Sequence, residues 1–320
     1  MIASVNPGTW HDGERAAQAR VGTDEHMAAI GPKVIRDFMP DQHRQFFEQL
    51  PFIVVGSLDA GQRPWASILS GLPGFASSPH PRRLEIEANP LPGDPLGDAL
   101  EVGNTLGFLG IELPTRRRNR MNGHVVARDM AGFAVHVRES FGNCPQYIQR
   151  RDYTAFTPQA GAVEAFAGLP TEAADLIRRA DTMFVASAAP LKDAKSREDG
   201  KYSIDVSHRG GQPGFLGLDR EGAIVVPDFR GNGFFQTIGN LIAYPRAGLL
   251  IPDFATGDLL QVTGTAEVVW DGPEVEAFPG ADRLWKVRVE SGRWLRAGFP
   301  LRFGAPELSP RSLAVGVYGG

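Results

Sequence analysis

The sequence predicts a mainly β protein, a β-barrel architecture with some α, arranged as two tandem barrels within one chain. Three observations carry that expectation. Glycine and proline, 38 and 25 of 320 residues, cut the chain into many short apolar runs, the punctuation of a sheet-rich protein with tight turns. The stretches "TLGFLGIELPTRRRNRMNGHVVARD" and "RAGLLIPDFATGDLLQVTGTAEVVWD" share an apolar strand, a polar turn and a second strand with a central glycine. That likeness reads as an internal duplication in which Gly123 and Gly264 are equivalent. At roughly 150 residues per domain, the length allows about two.

The elements follow in order. Residues 1–30 show little periodicity beyond "GERAAQAR" and are expected to wrap as an arm or short helix. A helix over 31–50 leads into the first barrel, whose strands are expected at 52–59, 65–71, 83–88, 105–113, 120–129 and 132–140. The helix-like 164–181 is the join. Strands at 182–188, 202–208, 215–219, 223–229, 247–254 and 259–271 then build the second barrel. The domain reading is an arm at 1–30, a first barrel at 31–163 and a second at 164–320.

Composition narrows the function. With 42% hydrophobic and 22% charged residues and a net charge of -4, nothing marks a nucleic-acid footprint. No apolar run is long enough to span a membrane, and no leader pattern opens the chain, so a cytoplasmic protein is expected. One cysteine, Cys144, and seven scattered histidines point to no metal site. Paired carboxylates and a nucleophile triad are not recognisable at any spacing.

The run "AIVVPDFRGNGFFQTIGN" places a charged, glycine-rich corner after an apolar strand. Phe234, Phe235, Ile238, Leu241 and Ile242 recur at helical spacing, which sets Arg230, Gly231, Asn232 and Gly233 at a helix start ahead of Pro245. Free backbone N–H groups, glycines that let a ligand approach, and a permanently charged arginine make an anion seat there. Taken alone, the corner fits a tight turn capped by Asn232 equally well. A second glycine corner, "SHRGG", closes the preceding strand with Ser207, His208, Arg209 and Gly210, and two such corners on one rim favour a phosphorylated ligand. A dinucleotide fingerprint fails, because Gln236 holds the third glycine position and the strand ending near Asp253 turns into another strand. The basic run "TRRRNR" (115–120) reads as a solvated turn. Trp285 and Trp294 read as wall packing ahead of a role in stacking on a ligand.

This order of strands, corners and helix resembles the pyridoxamine 5′-phosphate oxidase-like family of FMN-binding split barrels, and most of all its large bacterial flavin-nucleotide-binding group. The stretches "FRGNGFFQTIGNLIAYPRAGLL" and "SFGNCPQYIQ" carry the likeness, which extends over roughly residues 30 to 305. In that family a six-stranded barrel dimerises with FMN between barrels, so the duplicated chain would form a pseudo-dimer by itself. The first copy has the proline-rich "NPLPGDPLGDALEVGN" in place of the arginine corner, and one FMN site is expected. The resemblance places phosphate contacts on Arg230 and Asn232 with Gly231 and Gly233, and phosphate, ribityl or ring contacts on Ser207, His208, Arg209 and Gly210. Asn143, Cys144, Gln146 and Tyr147 would approach across the interface. Gln146 stands where relatives often have lysine, and "NCPQYIQRR" is also readable as a plain capped helix with Cys144 buried. The implied activity is an oxidoreductase taking electrons from a reduced nicotinamide, a reductase or a ferredoxin-type donor and passing them to a small molecule. The alternatives are a flavin carrier, a haem-binding module, or a deazaflavin enzyme; the chain would act as a monomeric pseudo-dimer or a homodimer.

Overall fold

Runs of β-branched and aromatic residues pair wherever a tight polar turn returns the chain. Between Phe52–Leu58 (β1) and Pro64–Ser70 (β2), for instance, Asp59 accepts from the Arg63 amide at 2.9 Å and from Trp65 Nε1 at 3.0 Å. This computed structural model describes residues 9–156, 161–191 and 202–319. Residues 1–8 of the expected arm lie outside them.

Five more strands complete the first sheet: Ala76–His80 (β3), Arg83–Ile86 (β4), Thr105–Glu112 (β5), Arg117–Arg128 (β6) and Phe133–Gly142 (β7). Its order is β2-β1-β5-β6-β7-β4-β3. After Tyr153–Phe156 (β8) and Val163–Ala167 (β9) come Thr182–Pro190 (β10), Tyr202–Gly210 (β11), Gly217–Leu218 (β12), Ile224–Phe229 (β13), Arg246–Pro252 (β14), Leu259–Val269 (β15) and Ala281–Leu295 (β16). These seven run β11-β10-β14-β15-β16-β13-β12, the first order repeated strand for strand, with β9 added along β16. Leu301–Phe303 (β17) pairs with β8. The protein is therefore mainly β, built from two antiparallel barrels of identical topology.

Registers match as well. Gly56 faces Gly107 in the first copy and Ala186 faces Gly248 in the second. The register slips between Asn122 and Gly123 and again between Thr263 and Gly264. A Cβ at Gly123 would strike the His136 carbonyl and one at Gly264 the Arg288 carbonyl, so each bulge requires glycine. The duplication read from the sequence is thus a duplication of backbone geometry.

Each barrel encloses its own apolar core, around Phe108, Leu84 and Val135 in the first and Trp285, Val226 and Leu249 in the second. A third cluster lies between the barrels, where Val54, Ala66 and Leu109 meet Phe184, Ala186, Val206 and Leu250. Close approach here depends on small residues: a Cβ on Gly107 would collide with the Ile204 carbonyl, and one on Gly248 with the Pro64 carbonyl. The strands at this interface are buried on both faces, which explains their unbroken apolar runs.

The helices depart from expectation. The arm holds Asp12–Arg20 (α1) and Asp24–Val34 (α2), and Asp41–Glu48 (α3) follows after a break at Ile35–Pro40, so no single helix covers 31–50. Leu96–Ala99 (α4) lies between β4 and β5, and Thr171–Arg179 (α5) alone is helical at the join, because 163–167 pairs as β9. Gln236–Ala243 (α6) lies between β13 and β14, in the place α4 holds in the first copy; Pro273–Glu276 (α7) and Pro310–Leu313 (α8) are single turns. Among the described residues no helix is long and apolar enough to cross a membrane.

Candidate functional site

A cleft of about 400 Å³ opens between the barrels. The second barrel supplies the ends of β11 and β13, the glycine corner and the start of α6; the first supplies β6 and the loop after β7. His208, Arg209, Gly210, Arg230, Gly231, Asn232, Gly233, Asn143, Cys144, Gln146 and Tyr147 all line it. Ser207 stands behind the wall, buried, where its Oγ accepts from Arg120 and meets Thr237 Oγ1 at 3.0 Å.

The corner differs in detail from a helix start. α6 begins only at Gln236, and Phe235 before it takes a left-handed backbone (φ 60°). Phe234 and Phe235 thus precede the helix, and Ile242, expected on its apolar face, is exposed. Arg230 to Gly233 form a loop that runs ahead of the helix, with Asn232 Oδ1 accepting from the Phe234 amide at 3.2 Å. A Cβ on Gly231 would meet nothing nearer than the Phe229 carbonyl at 3.9 Å, so this backbone lies open to a ligand. The "NCPQYIQ" stretch is a turn, with Tyr147 left-handed (φ 62°), its ring stacked on Phe229 and its hydroxyl donating to the Arg230 carbonyl at 3.3 Å.

The acid ahead of the corner has a defined task. Asp228 is buried and takes Arg209 Nη1 on one oxygen at 3.0 Å and Arg283 Nη1 on the other at 2.7 Å. In doing so it ties the ends of β11 and β13, which lie far apart in the strand order, to β16. Arg283 lies 4.8 Å from the Phe235 ring centroid, which fixes its plane.

Two arginines in the wall come from the run read as a solvated turn. Only residues 113–115 form a short 3₁₀ turn; β6 starts at Arg117, and its alternation carries Arg118 and Arg120 to the cleft while Arg117 lies over Phe46 at 5.0 Å. Arg118 Nε donates to the Cys144 carbonyl at 2.8 Å and Nη1 to the His208 carbonyl at 3.2 Å, which joins the two barrels. Arg120 donates to Gln236 Oε1 at 2.6 Å and stands 3.9 Å from Asp205. Strand periodicity, weighed against charge density, was the signal that could have found both.

Cation exceeds anion here. Arg118, Arg120, Arg209, Arg230 and Arg283 line the cleft with two carboxylates, Asp228 and Asp282. Among the described residues neither Arg118 nor Arg230 has a carboxylate within ion-pair range. Burial lowers the pKa of Arg118, and the like charges of Arg120 and Arg209 lower it further; a guanidinium stays charged nonetheless, so the set is repulsive until an anion arrives. Burial, then Arg118, Arg209 and Arg151, also holds His208 well below the usual imidazole range. His208 is therefore neutral, and among the described residues both of its buried ring nitrogens lack a partner, as do Asn143 Oδ1 and Arg209 Nε. Orphaned buried polar atoms are costly unless something binds them.

Behind Arg120 lies a buried acidic network. Asp205 accepts from Asn122 at 2.8 Å and Asn240 at 3.0 Å, and Asn122 also reaches Glu139 at 3.3 Å. Burial first and Asp205 second raise Glu139 to about 7. A folded pKa above the unfolded value means that stability is full at low pH and falls as pH rises from about 4.5 to about 7. Glu139→Gln is expected to remove that decline and to raise stability at pH 8 by about 1–2 kcal/mol. Urea unfolding at pH 5 and pH 8 measures it, and an unchanged pH slope would refute the assignment.

The pseudo-symmetric position is filled. By register, Ser67, Ile68 and Leu69 replace Ser207, His208 and Arg209, while Leu259 and Gln261 replace Arg118 and Arg120. Gln261 donates to Ser67 at 3.1 Å and to Asp94, from the proline-rich segment, at 3.0 Å; Ile68 and Leu259 join Leu295, Phe299 and Leu301 in the cluster between the barrels. Trp285 is buried in the second barrel's core, and Trp294 is buried with Arg296 over its ring at 4.1 Å.

No family model and no curated protein matches this chain. Among solved structures, Group A Streptococcus HupZ is 18% identical, over 38% of this chain and 90% of that one, at a TM-score of 0.28. A FAD-binding protein from Mesorhizobium loti is 13% identical over 41% and 97%, at a TM-score of 0.25. At scores this low the fold assignment rests on the repeated strand order itself.

Proposed function

We propose that the protein is an FMN-binding flavoprotein and acts as an oxidoreductase. The observation that carries the reading is the cleft between the barrels: five arginines against two carboxylates, orphaned buried donors and acceptors, and an open glycine corner on its rim. A phosphate monoester brings about −1.5 to −2 charges and three acceptor oxygens, which answers the excess. Arg230 and the exposed backbone at Gly231–Gly233 would hold that phosphate. Neutral His208 offers one donor and one acceptor, and Asn143 an amide, to the polar edge of a planar ring. Bound FMN would supply hydride or electron transfer, the donor being a reduced nicotinamide or a reductase partner. The chain's own part is to orient the ring, keep water from it between the two barrels and hold positive charge beside it.

FMN titration followed by fluorescence quenching tests the seat. Arg230→Met is expected to weaken binding by about 10- to 100-fold, the loss of a charge-assisted contact. Arg117→Met, on the far side of β6, should change it less than about twofold. Equal effects of the two would refute the phosphate seat. Anaerobic addition of NADH or NADPH then separates enzyme from carrier, since only an enzyme bleaches the flavin absorption.

A second reading draws on one observation, the unpartnered ring nitrogens of His208. A neutral imidazole in the wall of a cationic cleft, here packed edge-on to Phe184, is also what a haem with two propionates would require. A Soret band in place of flavin bands in the purified protein would decide for it.

A further inference from the structure

We propose that the N-terminal helical hairpin, α1 with α2, is part of this binding site: Thr23 and Met27 touch the bound ligand, and docking of α1 on α6 sets how long that ligand stays. The inference rests on the FMN reading and extends it to a segment that belongs to neither barrel. Val21, Thr23 and Met27 line the cleft beside the glycine corner, and the Met27 methyl lies 3.1 Å from where a Cβ on Gly233 would stand.

The hairpin is keyed to the corner's own backbone. Gln18 Nε2 donates to the Phe234 carbonyl at 3.2 Å, Trp10 packs on the Phe234 ring with centroids 5.2 Å apart, and Trp10 Nε1 ties back to the Met27 carbonyl at 2.9 Å. On α6, His11 Nε2 meets Asn240 Oδ1 at 2.9 Å, and the two helices cross where Gly13 faces Gly239. A Cβ on Gly13 would collide with the Gly239 carbonyl, and one on Gly239 would lie 2.6 Å from Glu14 Cα. Two glycines at one crossing are what close helix approach demands. A ligand in the corner therefore touches both a fixed barrel and a separately docked hairpin, and the two equilibria are linked: whatever factor docking adds to FMN affinity, FMN adds to docking.

Gly13→Ala separates them. Alanine favours α1 as a helix but cannot fit at the crossing, and it lies outside the cleft lining. Two readouts are taken: trypsin cleavage after Arg20 without FMN, which reports docking, and the FMN off-rate on dilution. We expect cleavage and off-rate each to rise at least about tenfold, FMN to slow cleavage of the unaltered chain, and Met27→Ala to raise the off-rate with less effect on cleavage. Faster cleavage with an unchanged off-rate overturns the proposal while FMN binding stands. Unchanged cleavage overturns the role given to the Gly13 crossing. Failure of the unaltered chain to bind FMN removes the underlying reading, and this inference with it.

Discussion

Arg118→Met is expected to weaken FMN binding about a hundredfold while leaving the ligand-free protein within about 1 kcal/mol of its original stability. The two halves of that result have one cause. Arg118 is held by two backbone carbonyls, one from each barrel, and faces Arg120 and Arg209 with no carboxylate of its own among the described residues. Removing it gives up two hydrogen bonds and at the same time relieves like-charge repulsion, and in the empty protein these offset. With an anion bound the repulsion is already neutralised, so only the loss remains. Isothermal titration paired with urea unfolding separates the terms. A variant that binds normally, or one that fails to bind because it has lost several kcal/mol of stability, would show that Arg118 serves the interface and not the ligand.

Gly248→Val should do the reverse, destroying the fold with no direct effect on the cleft. The position lies at the barrel interface, where even a Cβ would collide with the Pro64 carbonyl, and both backbones sit in paired strands that cannot yield. Overpacking costs about 1–3 kcal/mol where side chains can shift; here the obstacle is main chain, and a loss beyond about 4 kcal/mol is expected. Thermal unfolding monitored by circular dichroism gives the answer. A variant that melts within a few degrees of the parent would mean that the barrels are not held in this register.

How much of this was legible in the sequence depends on the kind of signal. Strands bounded by glycine and proline, and the pairing of Gly123 with Gly264, were readable because a bulge admits no other residue. The cofactor-site residues named from the resemblance are brought to one cleft, with Ser207 one layer behind. What local pattern could not supply was the facing barrel. Arg118 and Arg120 look solvated in a run of four basic residues until β7 and β11 are placed on either side of them. The 15-residue β16 was missed because "ADRLWKVRVESGRWL" alternates charge with apolar residues, a pattern easily taken for an exposed segment; its Arg283 is half of the clamp on Asp228. The short helix expected around "GERAAQAR" is α1, but where it docks was unreadable for a related reason: it is weakly amphipathic, and its two glycine-mediated contacts involve α6, more than two hundred residues away.

The filled counterpart of the cleft bears on how such a chain can change. In an assembly of identical halves, every substitution appears at both seats, so a residue that improves one role must be tolerated in the other. Fusing the halves ends that bond. One seat holds guanidiniums and the other holds Gln261, Leu259 and Leu69 at the matching positions, so a single swap such as Gln261→Arg alters one side alone.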